Sequence, residues 1–81
     1  MYDFFEVNVE MYFPRIGELR EDHDIKQVTL AKYLGVGQGT YSDYENGKIN
    51  IPIEMFIKLA DFYQVSLDYL AGRSKGRERQ E

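Results

Sequence analysis

His23 is the only histidine in the 81-residue chain, and there is no cysteine. Those two facts remove most of the chemistry that side chains perform. Ser-His-Asp and Cys-His catalysis need an imidazole base, so both are excluded unless His23 itself takes part. Zinc centres draw on thiolates or several imidazoles, and neither supply exists here. Acidic residues number 14, but nothing in their spacing sets two carboxyls in a cleft as acid and base. No phosphate loop and no metal-ligand spacing is present. The chain is therefore expected to be no enzyme, with no metal and no cofactor. His23 reads as an exposed residue at a helix end, with a pH-sensitive group near neutrality as the alternative.

What remains is recognition by charge and shape. Lys and Arg total 10 and the net charge is −4, which argues mildly against nucleic acid. The charge is uneven, however. Residues 1–13 carry three acids and no base, and residues 14–72 carry nine acids and six bases. Residues 73–81 reverse the sign, with four bases and two acids. A local field can matter more than the total, so the placement of the bases decides. The seven Tyr and five Phe fall at helical spacing and read as core, with base stacking as the alternative.

The elements that position these groups belong to one domain, since the chain is about half the usual single-domain length. A core this small often gains from oligomerisation. No apolar run reaches the roughly 20 residues needed to span a bilayer. The N-terminus lacks the basic start of a signal peptide, so a cytoplasmic protein is expected. In residues 2–13, Val7, Val9, Met11 and Phe13 alternate with Glu6, Asn8, Glu10 and Tyr12, the period of a half-buried strand. An extra helical turn or a loose arm would fit the same segment.

From Pro14 onward the spacing predicts short helices. The first covers 14–23, with Ile16, Leu19 and Arg20 on one side and Gly17 as a local penalty of up to about 1 kcal/mol. Asp24 stops it. The second ends at Leu34, before Gly35. Gly37 caps a third over 38–46, with Tyr41 and Tyr44 inward and Gln38, Thr40, Ser42 and Asp43 outward. Pro52 opens a fourth over 52–63, whose apolar stripe is Phe56, Ile57, Leu59, Ala60 and Tyr63. Ser66 caps a last helix that buries Leu67 and Leu70 before Gly72. The tail 73–81 has no apolar residue and is expected to be disordered. The helices over 27–34 and 38–46, joined by the tight turn Gly35–Gly37, have helix-turn-helix spacing.

With these elements in place, the chain resembles a known family. Gln27 with Leu30-Ala31, Leu34-Gly35-Val36, Tyr44-Glu45-Asn46-Gly47-Lys48 and Val65-Ser66-Leu67-Asp68-Tyr69-Leu70 occur in the order and spacing of Cro/repressor-type, or XRE, helix-turn-helix regulators. The resemblance covers about residues 15–72. It implies an all-α, five-helix domain that binds double-stranded operator DNA as a homodimer, half-sites lying roughly 34 Å apart. It makes 38–46 the recognition helix in the major groove. Gln38, Gly39 and Asp43 then fall where relatives reach base edges, with Thr40 and Ser42 close by. Lys26, Gln27, Asn46, Lys48 and Asn50 fall where relatives contact phosphate. The resemblance also implies a structural pair between Arg20 and Glu45. In related proteins the last helices commonly meet across the two-fold axis, and the N-terminal strand would add a second contact by pairing with its copy.

Elementary chemistry agrees with part of this. Gln38 can bridge adenine N6 and N7. Lys48 follows a helix-ending glycine, which exposes it to phosphate, although it also complements the negative end of its helix. Gly39 has no side chain to read a base and can only allow close backbone approach. Three positions depart from the family pattern: Lys26 and Gly37 replace Thr or Ser caps, and Asp43 stands where a basic residue or Gln is common. An acid at 43 repels phosphate, although it can accept from cytosine N4. Two functions compete: a dimeric DNA-binding regulator, and a protein-interaction module that keeps the fold with weak or no DNA binding.

Overall fold

The computed structural model describes residues 12–76. Among the described residues the expected all-helical architecture forms, as five helices: α1 Pro14–Asp22, α2 Gln27–Leu34, α3 Gln38–Asn46, α4 Ile53–Tyr63 and α5 Leu67–Leu70. Residues 1–11, most of the expected strand, and 77–81, the end of the tail, lie outside the described residues. Helix α1 stops one residue early, with His23 as its C-cap. Helix α4 starts one residue late, because Pro52 sits at its N-cap in extended backbone.

The stops obey local chemistry. Asp24 takes a left-handed conformation, φ 59°, and ends α1. Gly35 and Gly47 do the same for α2 and α3, at φ 79° and 73°, where a Cβ is disfavoured. At α5 the Ser66 hydroxyl accepts the Tyr69 N–H at 2.9 Å, a side-chain cap that starts a very short helix.

Packing places α3 against both α1 and α2, α2 against α4, and α4 against α5. Ile16 and Leu19 of α1, Leu30 and Leu34 of α2, Tyr41 of α3, Leu59 of α4 and Leu70 of α5 are the heart of the core. Truncating a residue such as Leu30 to Ala costs about 2–5 kcal/mol in such a setting. Arg15 ties the two ends of the domain together. Its Nη1 donates to Tyr69 O at 2.7 Å and Ser74 O at 2.6 Å, and the guanidinium lies 4.1 Å from the Tyr69 ring centre.

Two core expectations are corrected. Ile57 and Leu67 are each 42 % exposed. Helix α4 buries Phe56, Leu59, Ala60 and Tyr63, and one step past Phe56 turns Ile57 off that face. Helix α5 is a single turn, so it buries Leu70 and leaves Leu67 at its solvent-facing start. The aromatic residues divide likewise. Tyr41, Tyr44, Phe56 and Tyr63 are buried, whereas Tyr33 and Phe62 pair on the surface with ring centres 4.9 Å apart. Among the described residues no helix is long and apolar enough to cross a membrane.

Candidate nucleic-acid interface

Helix α3 is held from behind and open in front. Tyr41, Tyr44 and Glu45 are its buried residues. Gln38, Gly39 and Asn46 are exposed on the other side. Thr40, Ser42 and Asp43, expected outside, are half-buried. A nine-residue helix wedged against both α1 and α2 leaves only a narrow free face. Ser42 also accepts a bond from the Asn46 amide at 3.3 Å, so these two polar groups are partly engaged with each other.

Exposed lysines stand at the start of α2 and just past the end of α3. Lys26 stands at the N-cap of α2, where no side chain caps the helix. The unbonded N–H groups of the first turn and the helix dipole favour an anion there. Lys48 follows Gly47, and its N–H returns to Asp43 O at 2.9 Å. That bond satisfies a terminal carbonyl of α3 and sets the direction in which the chain leaves. Asn50, two residues on, is exposed as well.

Glu45 lies beneath the interface and joins three helices. Its Oε2 accepts from Arg20 Nε at 2.5 Å and from the Tyr41 hydroxyl at 2.6 Å. Its Oε1 accepts from Arg20 Nη2 at 3.4 Å and Gln27 Nε2 at 3.1 Å. Arg20 Nη1 donates in addition to Ile25 O at 2.8 Å. Burial pushes the Glu45 carboxyl up, but the bonds from Arg20, Tyr41 and Gln27 outweigh it and hold the group below the ordinary carboxylate value. Burial, then the bond to Glu45, raises the Tyr41 phenol far above its ordinary value. The expected Arg20–Glu45 pair is thus present as part of a four-residue network.

Gln27 is placed differently from the other phosphate-contact candidates. It is half-buried, and its amide nitrogen is directed at Glu45. What it offers a phosphate in this arrangement is its backbone N–H at the start of α2. His23 is exposed at the end of α1, where Nδ1 donates to Leu19 O at 2.8 Å. Among the described residues no group of three or more His, Cys, Asp or Glu is placed to hold a metal ion.

Two contributors to the interface were not legible in the sequence. Gly17 lies against the Glu45 carboxylate, which would be 3.4 Å from a methyl at that position. Tyr12 packs on Gly47, at the last turn of α3. Both contacts join residues far apart in the chain, and neither residue type signals such a role.

The same architecture occurs in known proteins. A helix-turn-helix family model matches residues 16–70. The cryptic phage CTXphi transcriptional repressor RstR of Vibrio cholerae is 37% identical over 65 residues, covering 80% of this chain and 59% of that protein. The HTH-type transcriptional regulator YobD of Bacillus subtilis (strain 168) is 34% identical over 62 residues, covering 76% of this chain and 55% of that protein. A crystal structure of a transcriptional regulator from Listeria innocua superposes with a TM-score of 0.72 at 28% identity, covering 83% of this chain and 64% of that one. The chain thus spans little more than half the length of these curated relatives. With the motif helices, their glycine-ended turns and the Glu45 network all inside the matched residues, the chain belongs to the helix-turn-helix family of Cro/repressor (XRE) type.

Proposed function

We propose that this chain binds duplex DNA and regulates transcription, with α3 as the recognition helix in the major groove. One observation carries the proposal: the free face of α3 exposes Gln38 and Gly39, and exposed lysines stand at the start of α2, Lys26, and just past the end of α3, Lys48. Such a face reads bases at its centre and grips phosphates at its edges. Gln38 pairs with adenine, Gly39 lets the backbone come close, and Thr40, Ser42 and Asp43 contact the groove through their exposed portions. Lys26, Asn46, Lys48, Asn50 and the backbone of Gln27 hold phosphate. Residues 14–72 are the DNA-binding unit, 1–13 an arm and 73–81 a basic tail. The names of the relatives support this role, which is binding without catalysis.

The functional unit is a homodimer. Exposed Ile57 and Leu67 support this, since they lie on α4 and α5, two helices that pack together. Asp43 and the net charge of −4 favour a second role, docking of a protein partner on the same face. Lys48→Ala tests the first. Binding to a mixed-sequence duplex is expected to weaken for all sequences alike, with the slope of log K against log salt falling by about 0.9. Lost affinity with an unchanged slope would show that Lys48 does not contact phosphate.

A further inference from the structure

The two glycine-ended helices of the motif differ in one respect. Gly35 and Gly47 have nearly the same φ, 79° and 73°. A methyl built on Gly35 meets nothing within 4 Å, whereas one on Gly47 lies 3.0 Å from Tyr12 Cβ, 3.3 Å from Tyr12 Cα and 3.3 Å from Tyr12 Cδ1. The corner that ends α2 is open, and the corner that ends α3 is packed. Tyr12 is itself anchored, because the next residue, Phe13, packs its ring on Phe56 in the core with centres 4.9 Å apart. A line of contact therefore runs from the core through Phe13 and Tyr12 to Gly47 and on to Lys48. Tyr12 remains 51 % exposed, so its ring is a wall at the edge of the interface rather than part of the core.

We propose that Tyr12 is a positioning residue for DNA binding: by covering Gly47 it holds the corner that aims Lys48 at phosphate. This rests on the DNA-binding role proposed for α3. A lysine side chain loses considerable freedom when it pairs with phosphate, and a fixed backbone beneath it limits the further loss on binding. The contact also joins the N-terminal arm to the interface, since Tyr12 is the residue where the two meet.

The test uses the full chain and two readouts, the salt dependence of binding to a mixed-sequence duplex and hydrogen exchange of the Lys48 amide. Tyr12→Ala is expected to speed exchange at Lys48 by about tenfold while the α2 amides keep their rates. It should also flatten the salt slope by up to about 0.9, one phosphate contact. Tyr12→Ala with Lys48→Ala should then bind no worse than Lys48→Ala alone. Tyr12→Phe, which keeps the ring on Gly47, should restore both readouts. Additive losses in the double variant, or a lower melting temperature with unchanged slope and exchange, would overturn the proposal.

A second comparison holds even if Tyr12→Ala does not fold. Gly47→Ala and Gly35→Ala carry the same left-handed penalty, so their difference isolates the Tyr12 contact. Exchange at Lys48 in Gly47→Ala should rise more than exchange at Val36 in Gly35→Ala, and equal rises would overturn the proposal. If the native chain ignores duplex DNA even at low salt, the DNA-binding role fails, while the exchange data still decide whether Tyr12 holds the corner.

Discussion

Arg20 on α1 and Glu45 on α3 form a bidentate ion pair, Nε to Oε2 at 2.5 Å and Nη2 to Oε1 at 3.4 Å, with side chains 15% and 8% exposed. The pair ties α3 to α1 and so sets the angle of α3 against the scaffold. Its geometry restricts both helices because Arg20 also donates to Ile25 O, just past the end of α1. Removing one partner strands the other charge, so Arg20→Ala should lower stability by about 3–5 kcal/mol in urea unfolding. Replacing both with apolar residues, Arg20→Met with Glu45→Leu, should recover most of that loss. A loss well under about 1 kcal/mol for Arg20→Ala would mean that the pair behaves as a surface contact.

Acid should loosen the same network. The Glu45 carboxyl is held below its ordinary value of 4.5 in the folded chain. A lowered folded value means that its contribution is complete above the ordinary value and is lost as pH falls through the depressed one. Urea midpoints should therefore drop on the acid side of 4.5, and the drop should be shallower in Glu45→Gln. Parallel pH profiles for the two proteins would contradict this.

Gly17 is a weak point in α1, and its neighbour Glu45 determines which substitutions it tolerates. Its Cβ position lies 3.4 Å from Glu45 Oε1 and 3.5 Å from Glu45 Cδ, ordinary contact distances. Gly17→Ala should thus recover helix propensity and raise stability by up to about 1 kcal/mol. Gly17→Leu should instead push into the carboxylate and lower the melting temperature. An Ala variant less stable than the native chain would show that the Glu45 network cannot yield even slightly.

Much of this fold was legible because its signals are local. Gly35, Gly47, Asp24, Pro14 and Ser66 each punctuate a helix through their own backbone or side-chain chemistry, and all of them act where expected. Leu30, Ala31 and Leu34 are buried as their spacing predicts. The errors arose where burial depends on what lies opposite. Ile57 and Leu67 are apolar at plausible positions, but α4 turns one away from its partners and α5 is too short to cover the other. In the candidate interface, the Gln27 side-chain amide is directed at Glu45, which leaves its backbone N–H as the group free to meet a phosphate. That engagement depends on α1, α2 and α3 converging, which no local spacing encodes. Tyr12 on Gly47 is hidden for the same reason.

Ile57 and Leu67 should be covered in the proposed homodimer. Ile57→Ser with Leu67→Ser should leave the fold intact, because neither residue is in the core, and should shift the species seen by sedimentation at micromolar concentration toward monomer. A strictly monomeric native chain would contradict the dimer. A native dimer unaffected by the double variant would place its interface elsewhere.

Selection from a randomised duplex pool, at low and high salt, tests most directly whether α3 reads DNA. The native chain should enrich a palindrome whose half-sites lie roughly 34 Å apart. Asp43→Asn should then bind all duplexes more tightly, most at low salt, if the carboxylate acts as a brake on phosphate approach. If Asp43 instead accepts from a cytosine, the variant should relax preference at one base pair with a loss of about 1–3 kcal/mol for the favoured base. A native chain that enriches nothing at low salt, with an Asp43→Asn variant equally indifferent to duplex, would contradict DNA recognition and leave the free face of α3 as a surface for a protein partner.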